Sequence, residues 1–552
     1  MRWTKYLAGI AWLSSQRGLS AWGLKPFCLK LLLIVLVFAP SAGQADKGSL
    51  FYFGGGGQQT ISGSLHVLAT AKGLYLIDVG NFMGADGANY PWPAEIPVDK
   101  IRAVFITHVH ADHIGRLPLL LQEGYRGPIY MSRVSYELAR IVLPASLRFL
   151  NFGQERFYYS RHHEGRKRIP VYLASYVGDS PVTPPNRVYF ETQCRQLATN
   201  GYFLAGSQRK QLENELLARL AAQVTIIDPG DAPVAVGDFK VQFFATPHIA
   251  GSVMVKLDYQ GFTLLFSGDI GPEGSPLLPA NPRFVSNIDV LVLGGTYAED
   301  RRVALTQGRR EFREKLAAWI RADYRVVIPA FALDRSQQVM FEISRAMSAN
   351  LLAEDQVIRV CSPTANRLLK LYANFVGRQD EFGAYFQSET IDPADFLPPG
   401  YRFGCRSGDS ANPLGLQHGE IGIMSSGMAQ HASARQALLD YLGDPKTVFV
   451  FVSYQAPDTP GGRLTAGSDP PRELKLDGQR HKVRAKIYHT AAFGGHADPA
   501  TIIQIFAATQ PQQIFLVHLD KPSIPALIRR YRESFPKAII TVPRLGERHR
   551  LQ

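Results

Sequence analysis

The stretch Thr107-His108-Val109-His110-Ala111-Asp112-His113 follows directly on the apolar run Ile101 to Ile106. Such a run reads as a buried strand, and the polar residues behind it as the loop at the strand's end. While the chain stays extended, alternate side chains share a face, so His108 and His110 reach one point in space. Asp112 and His113, past the bend, reach a second. Imidazole nitrogens and carboxylate oxygens are ordinary zinc donors, and three imidazoles with one carboxylate in six residues predict a binuclear metal site. A chance surface cluster is disfavoured because the motif stands where it needs to, behind a strand.

A two-metal site needs further ligands, and the chain supplies candidates at the ends of other apolar runs. His248 follows Phe239 to Phe244, and Asp269 follows Thr263 to Phe266. A sheet delivers such residues to a shared edge, where an aspartate can bridge two ions. Asp78 closes the run Leu74 to Gly80; a carboxylate there is costly without partners, and orienting metal-bound imidazoles is a natural role for it. Its competing reading is a turn-forming aspartate at a strand end. Two later histidines occupy similar settings: His496 precedes a helix and His518 ends the run Ile514 to Val517.

The 552 residues exceed what one core accommodates and imply two or three domains. Residues 1–45 hold five Lys/Arg and no acid, then the run Leu31 to Phe38 and a small-residue segment ending at Ala45. This reads as a signal peptide, too short in its apolar part to span a bilayer in the usual way. The expected location is periplasmic or secreted, the alternative an uncleaved membrane anchor. The long basic stretch before the run suggests a true start near Leu24. Without the leader, 55 basic residues face 47 acidic ones, a net charge of +8 that suits a polyanionic substrate without establishing one. The cysteines that remain, Cys194, Cys361 and Cys405, are scattered and predict no disulfide framework.

Gly54 to Gly57 invite a phosphate-loop reading, but no Gly-Lys-Ser/Thr follows, so a tight turn between strands is preferred. Arg148 to Arg168 mix aromatic and cationic residues, a composition shared by single-strand stacking surfaces and by ordinary packed insertions with a basic loop. From Arg301 onward, helix at Glu311 to Ile320, strand at Tyr324 to Phe331, helix at Ser336 to Met347, helix at Ser433 to Leu442 and strand at Thr447 to Tyr454 alternate, predicting a parallel α/β sheet.

Taken together, His108 to His113, His248 with Gly251-Ser252, Ser267-Gly268-Asp269, Thr296-Tyr297, Ile328 to Ala332, Ser426-Gly427-Met428, Tyr454-Gln455, Phe493 to Asp498 and Leu516-Val517-His518 resemble the β-CASP branch of the metallo-β-lactamase superfamily, the metallo-nucleases related to ribonuclease J and the cleavage and polyadenylation endonuclease. The resemblance implies an α/β fold, a metallo-β-lactamase αββα sandwich with an inserted β-CASP domain. Expected boundaries are a signal peptide at 1–45, sandwich at 46–298, β-CASP domain at 299–484 and returning sandwich at 485–552. It implies that His108, His110 and His248 hold one zinc, Asp112, His113 and His518 the other, and Asp269 bridges them, other divalent metals being possible. Asp112, Asp78 and His496 are the catalytic candidates, with His496 on the leaving-group side, and Ser426 and Gly427 are candidates for substrate binding. The chain departs from the family at Gly294-Gly295, where relatives carry an acidic residue supporting the catalytic histidine; Glu299 and Asp300 are near but out of register.

The expected activity is hydrolysis of RNA or single-stranded nucleic acid by a hydroxide held between two zinc ions, with His496 protonating the departing oxygen. The alternatives are a hydrolase of a small ester or phosphodiester, and a catalytically silent nucleic-acid-binding relative.

Overall fold

The computed structural model describes residues 49–52, 62–82, 92–93, 95–147, 206–259, 261–296, 305–386, 391–405, 412–467, 469–519 and 521–551. The expected leader, most of the glycine-rich turn and the aromatic-basic stretch 148–168 lie outside them. Among the described residues, no helix is long and apolar enough to cross a membrane.

In the first half of the chain the strands are β1 (Ser49–Tyr52), β2 (His66–Thr70), β3 (Gly73–Ile77), β4 (Ile101–Phe105), β5 (Ile129–Met131), β6 (Val224–Ile226), β7 (Val234–Val236), β8 (Phe239–Ala245), β9 (Val253–Tyr259), β10 (Phe262–Phe266) and β11 (Val290–Gly294). There follow β12 (Arg325–Pro329), β13 (Ile358–Val360), β14 (Tyr401–Phe403), β15 (Ile421–Met424), β16 (Thr447–Phe451), β17 (Glu473–Leu476), β18 (Gln479–Lys482), β19 (Lys486–His489), β20 (Gln513–Val517), β21 (Ile539–Thr541) and β22 (Arg548–Arg550).

One seven-stranded sheet runs β22-β1-β2-β3-β4-β5-β6 and a second β21-β20-β11-β10-β9-β8-β7. Their facing sides share one apolar core, in which Tyr75, Ala103 and Phe105 of the first sheet meet Phe239, Phe243 and Val292 of the second. Strand alternation explains the division: in β4, Ala103 and Phe105 point to that core while Val104 points outward to a helix-covered one, and a bulge at Arg102 in the pairing with β3 turns Ile101 to the outer side as well. Helices Pro499–Phe506 and Ile524–Ser534 cover the outer face of the second sheet through Ile502, Phe506 and Leu527. The result is the helix–sheet–sheet–helix layering of the expected sandwich.

The third sheet, β14-β13-β15-β12-β16-β19, is wholly parallel. Its strands β12, β15 and β16 are buried throughout, as parallel strands covered on both faces must be. Helix Pro363–Val376 of this unit packs against helix Arg133–Ser146 of the sandwich, and the two share one continuous core. β19 is an edge strand here, so the last strand of the third sheet falls just past the expected boundary at 484/485. Lys486 to His489 is short and half-exposed, which gave the sequence no buried run to signal it. Cys361 and Cys405, at the ends of β13 and β14, are joined by a disulfide, a single bond that the scattered cysteines did not signal. Parallel pairing of Ile358 with Tyr401 through Val360 with Phe403 brings the two cysteines together, a register that spacing alone does not reveal.

Candidate metal centre

β4 ends at Phe105, and the next residues run along the mouth between the two sheets. Thr107 anchors the turn: its backbone N–H donates to Asp78 Oδ1 at 2.8 Å and its hydroxyl to Asp78 Oδ2 at 2.8 Å. His110 is still extended, at φ −65° and ψ 150°, and caps the one-turn helix Ala111–Ile114, so the bend falls between His110 and Asp112 as the pattern requires. The bend is held down by Gly80, where a Cβ would lie 1.7 Å from the Asp112 carbonyl oxygen, and by the buried Arg116, whose Nε donates to Gly80 O at 2.6 Å.

Three imidazole nitrogens converge. His110 Nδ1 lies 3.1 Å from His108 Nε2 and 3.0 Å from His248 Nε2. Two nitrogens bound to one tetrahedral zinc stand roughly 3.3 Å apart. Asp269 sits beside them, its Oδ2 3.5 Å from His248 Nε2 and 3.8 Å from His108 Nε2. On its other side Oδ1 is 3.5 Å from His113 Nε2, and Oδ2 is 3.7 Å from His518 Nε2. His518 Nε2 in turn lies 3.3 Å from Asp112 Oδ2. The groupings compatible with a metal are therefore His108, His110, His248 and Asp269; Asp112, His113 and His518; and Asp269, His496 and His518. The third was not expected, since it adds His496 as a possible donor. His113 Nε2 supplies a test of fit: it is buried without a hydrogen-bond partner, the environment of a nitrogen whose lone pair is reserved for a cation.

The electrostatics divide these groups. Burial drives His248 down to about 3 and His110 to about 4, and holds His108 well below the ordinary imidazole value, so all three are neutral imidazoles ready to donate lone pairs. Against the same desolvation, Asp269 and Asp78 raise His113, and Asp269 and Asp112 raise His518. Desolvation also opposes ionisation of Asp112 and Asp269, yet the surrounding histidines hold both carboxyls below the usual range. Asp78 touches the cluster only through His113 Nδ1, at 2.7 Å, which turns Nε2 toward Asp269. His248 is fixed similarly, with Nδ1 2.6 Å from Gly495 O.

His496 is lowered by burial and by its neighbours His248 and His518, though Asp269 pulls the other way. Its Nδ1 is 3.1 Å from Thr296 Oγ1, and the same hydroxyl is 3.0 Å from His518 Nδ1. Thr296 thus stands between two of the candidate residues, a role the sequence reading did not give it. It is the nearest hydroxyl after β11, where the family's acid is absent. A side chain at Gly294 would strike Gly268 O at 2.5 Å in this backbone. Glu299 and Asp300 lie outside the described residues. His66 was also missed: buried on β2, it sits 3.2 Å from Ser64 Oγ and lines the same small cavity as Asp78, His113 and His518. A histidine facing inward on an apolar strand was the available signal. Ser426 and Gly427 are not part of this cluster; they lie past β15, with Ser426 Oγ accepting from Gln430 N at 3.2 Å.

Residues 61–145 match the metallo-beta-lactamase superfamily and residues 336–464 the Beta-Casp domain. The chain thus combines a metallo-β-lactamase domain with a β-CASP domain. This β-CASP chain is 26% identical to ribonuclease TTHA0252 of Thermus thermophilus, over 86% of its own length and 94% of that protein. It is 24% identical to transcription termination factor FttA of Methanosarcina mazei, over 84% of the chain and 66% of that protein. It is 20% identical to endoribonuclease YSH1 of Candida albicans, over 88% of the chain and 51% of that protein. The β-CASP chain therefore spans nearly all of the first and about half to two thirds of the other two.

Proposed function

We propose that this protein is an exported, binuclear zinc-dependent phosphodiesterase that cuts RNA or other single-stranded nucleic acid. The observation that carries the reading is Asp269, placed between two groups of imidazoles with ring nitrogens aimed at common points. His108, His110 and His248 would hold one ion and Asp112, His113 and His518 the other, with Asp269 shared. Bound there, the ions supply Lewis acidity and bring the pKa of water into the neutral range.

The remaining work falls to the chain's own groups. Asp78 orients His113 through Nδ1, and Gly495 O orients His248. With His518 Nε2 given to the ion it would hold beside Asp112, its proton is left on Nδ1, which donates to Thr296 Oγ1; the Thr296 hydroxyl then donates to His496 Nδ1. That relay leaves the His496 proton on Nε2, from which it passes to the departing oxygen. Names of relatives that include a ribonuclease and an endoribonuclease support RNA as substrate. The Cys361–Cys405 disulfide supports export, since such bonds persist in oxidising compartments.

The test uses the chain from Asp46, given a fluorescent single-stranded RNA and bis-p-nitrophenyl phosphate, with His110→Ala as control and metal content read by mass spectrometry. Hydrolysis of RNA with about two zinc per chain, lost in the variant, is the expected result. Cleavage of the small diester alone would replace the nuclease reading with a small-phosphodiester one. Cleavage of neither by zinc-loaded protein overturns the phosphodiesterase assignment.

A further inference from the structure

Strands β15, β12 and β16 lie side by side and parallel, so their carboxyl ends open along one edge of the third sheet. Open parallel sheets bind ligands at such edges. Two large aromatic side chains are exposed there: Phe331, two residues past β12, at 38%, and Tyr454, three past β16, at 53%. Gly427 lies between them. A Cβ on it would meet the Phe331 ring at 3.1 Å, and its carbonyl accepts from Gln455 Nε2, next to Tyr454, at 3.0 Å. Any longer side chain at position 427 would lie against the Phe331 ring and reduce its exposure.

The same edge reaches the metal centre. Ser336 N and Oγ both donate to Phe331 O, at 3.1 and 2.8 Å, closing residues 331–336 into one tight turn. Arg335 stands on this turn, ion-paired with Asp334, its guanidinium packed on Gly495. A Cβ on Gly495 would lie 1.9 Å from Arg335 Nη2 and 3.5 Å from His248 Cε1, so the guanidinium and the ligand ring share one wall. One turn therefore presents an exposed ring at one end and, at the other, guanidinium donors beside the candidate metal ligands.

We propose that Phe331 and Tyr454 form a base-stacking platform that holds single-stranded RNA beside the metal centre, with the strand's phosphates running toward Arg335. The proposal rests on the RNA-cleaving reading above and names how that substrate is held. Stacking suits any base, because each has a π face, and the net charge of +8 on the chain without its leader complements a polyanion. It differs from the aromatic-basic stretch 148–168, which lies outside the described residues.

Binding is separable from cleavage. The His110→Ala chain is titrated into a single-stranded RNA carrying 2-aminopurine, with and without Phe331→Ala or Tyr454→Ala. Expected are quenching of the probe by the parent and a loss of affinity of about fivefold to 150-fold for each ring removed. Phe331→Tyr should retain binding. With His110 restored, the two alanine variants should hydrolyse bis-p-nitrophenyl phosphate as the parent does, which shows that the fold and centre are intact. Unchanged RNA affinity and quenching in both alanine variants overturn the platform even if RNA is cut, and so does a parent that binds no RNA. RNA bound through the rings but not cut by zinc-loaded parent upholds the platform and overturns only the phosphodiesterase reading. Binding of a protein partner, rather than RNA, at these rings also overturns it.

Discussion

Replacing Thr296 with valine keeps the volume of the side chain and removes one hydroxyl, and that hydroxyl serves two rings at 3.0 and 3.1 Å. The His518 N–H then loses its acceptor in a buried place, at about 1–3 kcal/mol, and His496 loses a hydrogen bond worth about 0.5–1.5 kcal/mol. The His496 proton is no longer assigned to Nε2, so part of the population holds the wrong tautomer. If about 2–4 kcal/mol of this falls on the transition state, kcat drops by roughly 30- to 1000-fold. Metal affinity at the site that includes His518 should fall by about tenfold to a hundredfold, as it does when a ligand's hydrogen-bond partner is removed. The assay is single-turnover hydrolysis at saturating zinc, which separates lost rate from lost metal, with Thr296→Ser as the variant that restores the hydroxyl. A valine variant with parental kcat at saturating zinc would refute the relay.

Asp78→Ala leaves the Thr107 N–H and the His113 ring without their acceptor, and the cost of those buried donors is about 2–5 kcal/mol. It should appear as a lower melting temperature in metal-free protein and weaker zinc retention against a chelator; a melting curve matching the parent's in chelator would sink the account. The Cys361–Cys405 bond closes a loop of 44 residues, for which chain entropy suggests about 4 kcal/mol of stabilisation. Cys361→Ser should therefore melt well below the parent, and thiol labelling of unreduced, denatured parent should miss both cysteines; labelling of both would show that they are free.

The centre was readable where its signal is local. His108 to His113 form a contiguous motif, and His248, Asp269 and His518 each end an apolar run, so strand periodicity placed them at sheet ends before any pairing was known. The pairing of sheets brings those ends together, and sequence carries it only indirectly. Thr296 entered only as part of a motif, with no role of its own, because a single threonine after a strand has no pattern; its place between His496 and His518 exists only once β11 and β20 pair in register, Gly294 against Val517. The disulfide and β19 were missed for the same reason, both depending on register within the third sheet. Arg335 reads in sequence as an ordinary surface cation at a helix start, and becomes notable only through its packing on Gly495.

The absent acid bears on which substrate the centre can cut. A carboxylate beside His496 would favour the imidazolium form, a strong proton donor, whereas a threonine hydroxyl does not. Burial lowers His496 further, which keeps it a neutral ring and would make it a weak acid in the proposed role. Such an acid helps most when the departing oxygen is already close to taking the proton in the transition state, and not at all when the leaving group is stable as an anion. Nitrophenolate is stable in that way and a ribose oxygen is not. A chain that cuts the nitrophenyl diester well and RNA slowly, with His496→Ala harming only the RNA reaction, would have kept the acid's position while losing much of its strength. Comparable rates on RNA would instead require that the Thr296 relay do the work of the missing carboxylate.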